Sequence, residues 1–381
     1  MKILCPVDSA AEAETLAGLG ARELYGGYLP AQWAERFALA APPNRRTFAE
    51  AQIRDLRELR AVVSAAHAGG AEFFLTVNSP VYAREQYPAL FTLAEEALAA
   101  GVDAFIAADP GFIIEARARW PGVRIHLSTL ADAANHGAVA LWKRLGVERV
   151  TLPRHLPLAA IEALVAASPG MRFDAFVLYG QCPNDEGQCT FSHDHPLRTW
   201  PCVQRYQLEP LTDSDAARRA AAAQAGWAGL SRADACGLCA LWDLARLEVD
   251  AVKIVGRGTS AGRKAWAVRT VAELLALIRS GIGREEFRIA ARERSLGRFS
   301  HGCSPYLCYF PELIPVSLPG RDRKIPLNPP LPKGDENLPH PPLPKGDQNL
   351  PHPSFPEGDG KSGHPPLPKG ERGGFDVTGA R

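Results

Sequence analysis

The chain has 381 residues, 46% hydrophobic and 22% charged, a globular composition that excludes wholesale disorder and a collagen-like fibre. Forty-three basic residues nearly cancel forty-two acidic ones, for a net charge of +1, so nothing global marks a nucleic-acid binder and only a local basic patch stays open. No run nears the roughly 18 apolar residues that span a bilayer. The opening MKILCPVDSA lacks the apolar core and cleavage site of a secretory signal. The expected location is therefore the cytoplasm, where eight cysteines are thiols or metal ligands rather than disulfides.

In chain order, short β-rich runs alternate with helical segments. The expected strands are Lys2–Pro6, Glu23–Tyr28, Glu72–Asn78, Ala104–Ala108, Arg124–Ser128, Arg149–Pro153, Asp174–Tyr179 and Ala251–Val255. Most are short, apolar and rich in Val, Ile, Phe or Tyr, as parallel strands covered on both faces should be. Between most of them lie helical patterns. Leu90, Leu93, Ala94, Ala97 and Leu98 share one face before Gly101, as do Ile161, Leu164 and Val165 before Ser168-Pro169-Gly170. Eight strand–helix repeats predict an α/β fold, a (β/α)8 TIM-barrel-like domain over residues 1–320, with a Cys-rich loop at 180–240 inserted between the last two strands. An open doubly wound sheet is the alternative, although no G-x-G-x-x-G loop opens the first unit.

Composition breaks at Pro326. The last 56 residues hold 14 of the 33 prolines, and P-P-L-P-K-G begins at Pro329, Pro341 and Pro365, with Pro353-Ser-Phe-Pro-Glu-Gly between them, a period of 12. Such a segment lacks backbone donors and apolar faces, so residues 326–381 are expected to be a disordered Pro-rich tail. A translated DNA repeat explains it better than a Pro-rich ligand does.

A barrel of this kind works at the C-terminal ends of its strands. The polar residues there are Asn78, Asp109, His126, Ser128, Thr129, Arg154, His155, Cys182, Lys253 and Arg257. His126 sits inside an apolar strand, where a hydrogen-bonded core histidine is the commoner outcome. Cysteine gives the densest signal: Cys182-x6-Cys189-x12-Cys202-x33-Cys236-x2-Cys239. Thiolates are soft ligands for iron–sulfur clusters or Zn²⁺. Zinc ribbons favour two short knuckles. Only Cys236-x2-Cys239 is that close among these five, so a cluster in a loop over the barrel mouth is favoured over ordinary loop thiols. His193 and His195 stand beside them. Cys303-x4-Cys308 is a second ligand group, a redox pair, or two thiols buried near Tyr306, Tyr309 and Phe310. Cys5 reads as a small core residue. Trp200, Tyr206 and Trp227 flank the loop, as core or as walls for a planar substrate.

The run Asp174 to Ser192, DAFVLYGQCPNDEGQCTFS, resembles the signature of the U32 peptidase family, the collagenase-like proteins. Phe176, Gly180, Cys182, Gly187, Cys189 and Ser192 match it. Asp174, Tyr179, Gln181 and Phe191 depart from it. VDAFIAADPG, VRIHLSTLADAAN and VDAVKIVGR agree with other family segments, although Leu130 and Val255 replace a usual Gln and Glu. The resemblance covers about residues 1–290. It implies a short-form member like the iron–sulfur proteins of oxygen-independent hydroxylation, acting on a quinone precursor, an RNA base or another small aromatic. It further implies a [4Fe–4S] cluster on Cys182, Cys189, Cys202 and Cys236, with Cys239 as the substitute for Cys202, and prephenate as an oxygen donor. Arg154, Lys253 and Arg257 would then hold the carboxylates of a small anionic substrate, with His126 near them; none of the three cations is a natural base at neutral pH. The alternatives are a metal-dependent peptidase, as the family name says, and a non-catalytic cluster-bearing subunit beside a homologous partner. The sequence has no H-E-x-x-H.

Overall fold

The computed structural model describes residues 1–37, 42–46, 49–182, 185–187, 189, 212–228, 234–299 and 302–315, without the side chains of 223–228. The tail, Cys202, His193, His195, Trp200 and Tyr206 lie outside these residues, as does the side chain of Trp227.

Eight parallel strands close on themselves in sequence order: β1 (Lys2–Pro6), β2 (Glu23–Gly27), β3 (Glu72–Val77), β4 (Ala104–Ala107), β5 (Ile125–Leu127), β6 (Arg149–Thr151), β7 (Arg172–Leu178) and β8 (Ala251–Ile254). β8 returns to β1 with Lys253 opposite Leu4, so no sheet edge is left and the open-sheet alternative is overturned. The helices are α1 (Ala10–Gly18), α2 (Ala31–Phe37), α3 (Leu56–Ala68), α4 (Tyr87–Ala99), α5 (Pro110–Arg119), α6 (His136–Arg144), α7 (Leu158–Ala166), α8 (Asp215–Ala228), α9 (Leu241–Arg246), α10 (Ala261–Arg279) and α11 (Arg284–Leu296). The expected strands are all present. Several end a residue or two early: β6 stops at Thr151 rather than Pro153, since proline brings no N–H to the ladder.

Polar residues start several of the helices. Ser9, Asp55, Asp109, Asn135 and Ser260 each accept a backbone N–H in the first turn of the helix that follows. Asp109, a rim candidate, is thereby explained: its Oδ1 takes Phe112 N and Tyr87 Oη, each at 2.7 Å.

Two apolar layers make the core. One lies between strands and helices; Leu90, Leu93, Ala94 and Ala97 of α4 and Ile161 and Leu164 of α7 are buried in it, and Cys5 is fully buried. The other comprises Leu4, Tyr25, Phe74, Ala104, Ile106 and Ala251 on the strands. Below it a charged group is buried: Arg149 donates to Glu23 Oε1 and Oε2 at 2.8 and 2.7 Å and to Asp174 Oδ1. Among the described residues, no helix is long and apolar enough to cross a membrane.

Candidate functional site at the barrel rim

Three cations converge at the C-terminal ends of β6 and β8. Lys253, on β8, is buried with its Nζ 4.8 Å from the centre of the Tyr25 ring and 5.7 Å from that of Phe176. Among the described residues, its Nζ donates to Thr151 Oγ1, at 3.5 Å. Burial, together with Arg154, Arg149 and Arg257, pushes its pKa down to about 8, with Asp174 opposing. A lysine poised this close to neutrality is a feature that sequence reasoning missed, because the signal is burial and enclosure by other cations from distant segments. Arg257 is buried, and its Nη1 donates to Asn44 Oδ1 and Thr76 Oγ1 at 2.9 Å each. Both acceptors are neutral. Gly27 is required beneath it, since a Cβ there would overlap the guanidinium and crowd Gln52 Oε1 at 2.8 Å. Arg154 stacks on Phe176, its Cζ 3.9 Å from the ring centre, and forms an ion pair with Glu186.

The loop after β7 meets one of these cations, Arg154. The chain leaves β7 through Tyr179 (φ +68°) and Gly180 (φ +69°). A Cβ on Gly180 would sit 2.8 Å from Val255 Cγ1, which explains a glycine there. Glu186 meets Arg154 and accepts from Thr129 Oγ1 at 3.0 Å, while Arg45 Nη2 donates to the Cys189 carbonyl at 2.6 Å. Gly187 passes so close to Asp132 that a Cβ would overlap the Asp132 side chain and lie 3.1 Å from its Cα. Cys182 and Cys189 are half-buried along this loop. Asn78 and Ser128 bind one another at 3.2 Å, and Asn78 Oδ1 also accepts Arg45 N at 3.2 Å, so both brace the rim.

His126 lies elsewhere. Its ring is buried edge-on to Phe74 at 4.6 Å, and Nε2 is 3.3 Å from Oε1 of Glu148, just before β6. That places its hydrogen bond toward the N-terminal end of the barrel, away from the rim. Burial lowers its pKa.

Four further cysteines gather behind the rim. Cys236, Cys239, Cys303 and Cys308 line one small cavity, and Cys236 Sγ is 3.4 Å from Ser295 Oγ. Cys236 shares this cavity with Cys239, Cys303 and Cys308, and both Cys236 and the loop's Cys182 lie near Tyr309. Among the described residues, no three His, Cys, Asp or Glu side chains are arranged to hold a metal ion. Thiols suit an iron–sulfur cluster chemically, and Cys202 lies outside the described residues.

Among curated proteins, tRNA hydroxylation protein P of Escherichia coli K12 is 34% identical over 130 residues, 34% of this chain and 28% of that protein. The protein of the same name from Haemophilus influenzae is 27% identical over 221 residues, 56% of this chain and 45% of its own. The 23S rRNA 5-hydroxycytidine C2501 synthase of Escherichia coli K12 is 29% identical over 163 residues, 42% of this chain and 24% of that enzyme. The chain thus spans less than half the length of each of these relatives. A solved U32 peptidase structure aligns with 68% of this chain and 94% of its own at 14% identity and a TM-score of 0.44. The model of Peptidase family U32 matches residues 10–311, most of the chain and every strand after the first, and the chain belongs to that family.

Proposed function

We propose that this chain is an enzyme of RNA hydroxylation, adding oxygen to a base in tRNA or rRNA. The observation that carries the reading is the rim itself: buried Lys253 and Arg257 beside Arg154, two aromatic rings and a docked cysteine loop. Relatives named for tRNA and rRNA hydroxylation support the substrate class. Cations with few anionic partners bind carboxylate or phosphate, and the rings of Tyr25 and Phe176 offer faces to a planar group. A small dicarboxylate donor of the prephenate type suits the same cations.

An iron–sulfur cluster would supply electrons. Its thiols in this reading are Cys182, Cys189 and Cys202 of the loop, with Cys236 the fourth by motif position. The chain's own residues perform the rest: Arg257 and Arg154 fix the anion, and Lys253 takes or gives a proton near pH 8. The peptidase alternative needs a nucleophile next to a base. His126, with Nε2 committed to Glu148 below the rim, does not supply that pair.

The test is nucleoside mass spectrometry of tRNA and rRNA from cells with the gene deleted and then restored. A nucleoside one oxygen atom heavier should vanish on deletion, return with the wild type, and fail to return with Arg257→Ala. Unchanged nucleosides in all strains overturn the reading.

A further inference from the structure

Between the charged group at the lower end of the barrel and the cations at the rim lies Thr151, a buried hydroxyl that joins the two. Thr151 and Asp174 are register partners on β6 and β7, and Lys253 on β8 is the partner of Phe176, two positions beyond Asp174. Side chains two apart on a strand share a face, so all three stand on the inner face of the barrel. Their polar contacts run in a line. Lys253 Nζ donates to Thr151 Oγ1 at 3.5 Å, Thr151 Oγ1 donates to Asp174 Oδ2 at 3.3 Å, and Asp174 Oδ1 accepts from Arg149. Arg149 is in turn fixed by both carboxylate oxygens of Glu23.

A threonine hydroxyl has one proton and two lone pairs. With that proton committed to Asp174, a lone pair is left for the lysine amine. Packing alone asks only for a β-branched side chain at position 151, which valine would also supply. The groups that act on the amine come from every side. Burial favours its neutral form, as do Arg154, Arg149 and Arg257, while Asp174 favours the cation. The rings of Tyr25 and Phe176 close the remaining sides.

We propose that Thr151 and Asp174 are the positioning residues of Lys253: the hydroxyl holds the amine in place, and the carboxylate behind it, fixed by Arg149, keeps the charged form within reach. The inference deepens the reading of Lys253 as the proton carrier of the rim and rests on that reading for its part in the reaction. Asp174 then serves both ends of the barrel, Oδ1 through Arg149 and Oδ2 through Thr151. Thr151 and Asp174 keep their protonation states throughout; Lys253 alone exchanges a proton with substrate or solvent. An acceptor and an anion both favour the ammonium form, so removing either should lower the pH at which Lys253 loses its proton.

The test titrates Lys253 directly in the full chain, by nuclear magnetic resonance of isotope-labelled lysine Cε, the signal being assigned by its absence in Lys253→Met. The wild-type midpoint should lie at about pH 8. Thr151→Val should lower it to about pH 7.5 or below, and Thr151→Ser, which keeps the hydroxyl, should restore it. Asp174→Asn should lower it at least as far; should that variant fold poorly with Arg149 left unanswered, the two Thr151 variants decide alone. In deleted cells Thr151→Val should restore less of the hydroxylated nucleoside than Thr151→Ser does. The titration needs no RNA, so nucleosides unchanged in every strain would sink the hydroxylation reading alone, and the midpoints decide the positioning. A merely structural hydroxyl would move the melting temperature and leave the midpoint where it is. A wild-type midpoint near the ordinary 10.5, a Thr151→Val midpoint equal to wild type, or a Thr151→Ser midpoint as low as that of Thr151→Val would overturn the proposal.

Discussion

The two ends of the barrel treat buried charge in opposite ways. At the N-terminal end Arg149 is answered by two carboxylates, Glu23 and Asp174, all three almost fully enclosed. At the C-terminal end Arg257 is held by neutral oxygens, and Lys253 has a hydroxyl 3.5 Å away. Charge that is locally balanced ties strands together across the barrel interior, since Glu23, Arg149 and Asp174 come from β2, β6 and β7. Cationic charge in excess is costly to fold and is the common mark of a site that receives an anion. The lower end holds the barrel together, and the upper end carries the site proposed to receive the anion.

The comparison breaks most sharply at Arg149. Arg149→Ala leaves Glu23 and Asp174 buried without their cation, and such a loss typically costs about 3–5 kcal/mol. Denaturant unfolding should show that drop, with cooperativity reduced or the chain unfolded. A change below about 1 kcal/mol would mean that the buried group is not a keystone of the barrel. At the rim, Arg257→Ala should behave differently. Removing a charge-assisted contact costs about 1.5–3 kcal/mol of binding, roughly ten- to hundredfold in affinity. Calorimetry with prephenate should record that weakening while the unfolding midpoint moves far less than for Arg149→Ala. Equal losses of stability in the two variants would erase the distinction between the ends.

Lys253 sharpens it through pH. Its pKa is about 8 in the folded chain against an ordinary 10.5. Between those values the unfolded chain binds more protons, so this lysine makes stability rise with pH across that window. Lys253→Met should remove that contribution, and the wild-type-minus-variant difference in unfolding free energy should climb from about pH 8 to pH 10.5. Anion binding should run the other way and weaken as pH rises through about 8, because the neutral amine has no charge to offer. A flat difference curve would show Lys253 to be ordinarily solvated.

The barrel was legible because most strands carry their own signal, a short apolar run, with a helix stripe between most of them. Strand ends were less so, as at Thr151, since the last rungs of a ladder depend on the neighbouring strand. The cations Arg154, Lys253 and Arg257 were found because strand order and the C-terminal rim rule select them. What the sequence withheld is relational. His126 points to Glu148 because of where Phe74 and Glu148 lie, and that cannot be read from HLST. Cys303 and Cys308 looked weak in isolation; only the pairing of Leu307–Tyr309 with Cys236 brings them to Cys239. Glycines were legible as turns but not as contacts: Gly187 is explained by Asp132, 55 positions earlier in the chain.

That glycine gives the smallest expected effect on the fold and a selective one on the site. Gly187→Ala introduces a methyl that overlaps the Asp132 side chain and stands 3.1 Å from Asp132 Cα. The backbone of Asp132 is itself held at φ +50° by the turn after Ser128–Thr129, so it has little room to retreat. The loop must lift instead, loosening the contacts of Glu186 with Arg154 and Thr129 and of Cys189 with Arg45. These contacts are peripheral to the core, so the unfolding midpoint should change little, by about 0.5 kcal/mol or less. Function should change more, because the loop would no longer hold Arg154 at the rim. The expected pattern for Gly187→Ala is near-wild-type melting, faster modification of the Cys182 and Cys189 thiols, and reduced ability to restore the hydroxylated nucleoside in deleted cells. Wild-type thiol reactivity would show that the loop is held to the rim by something other than its close passage past Asp132.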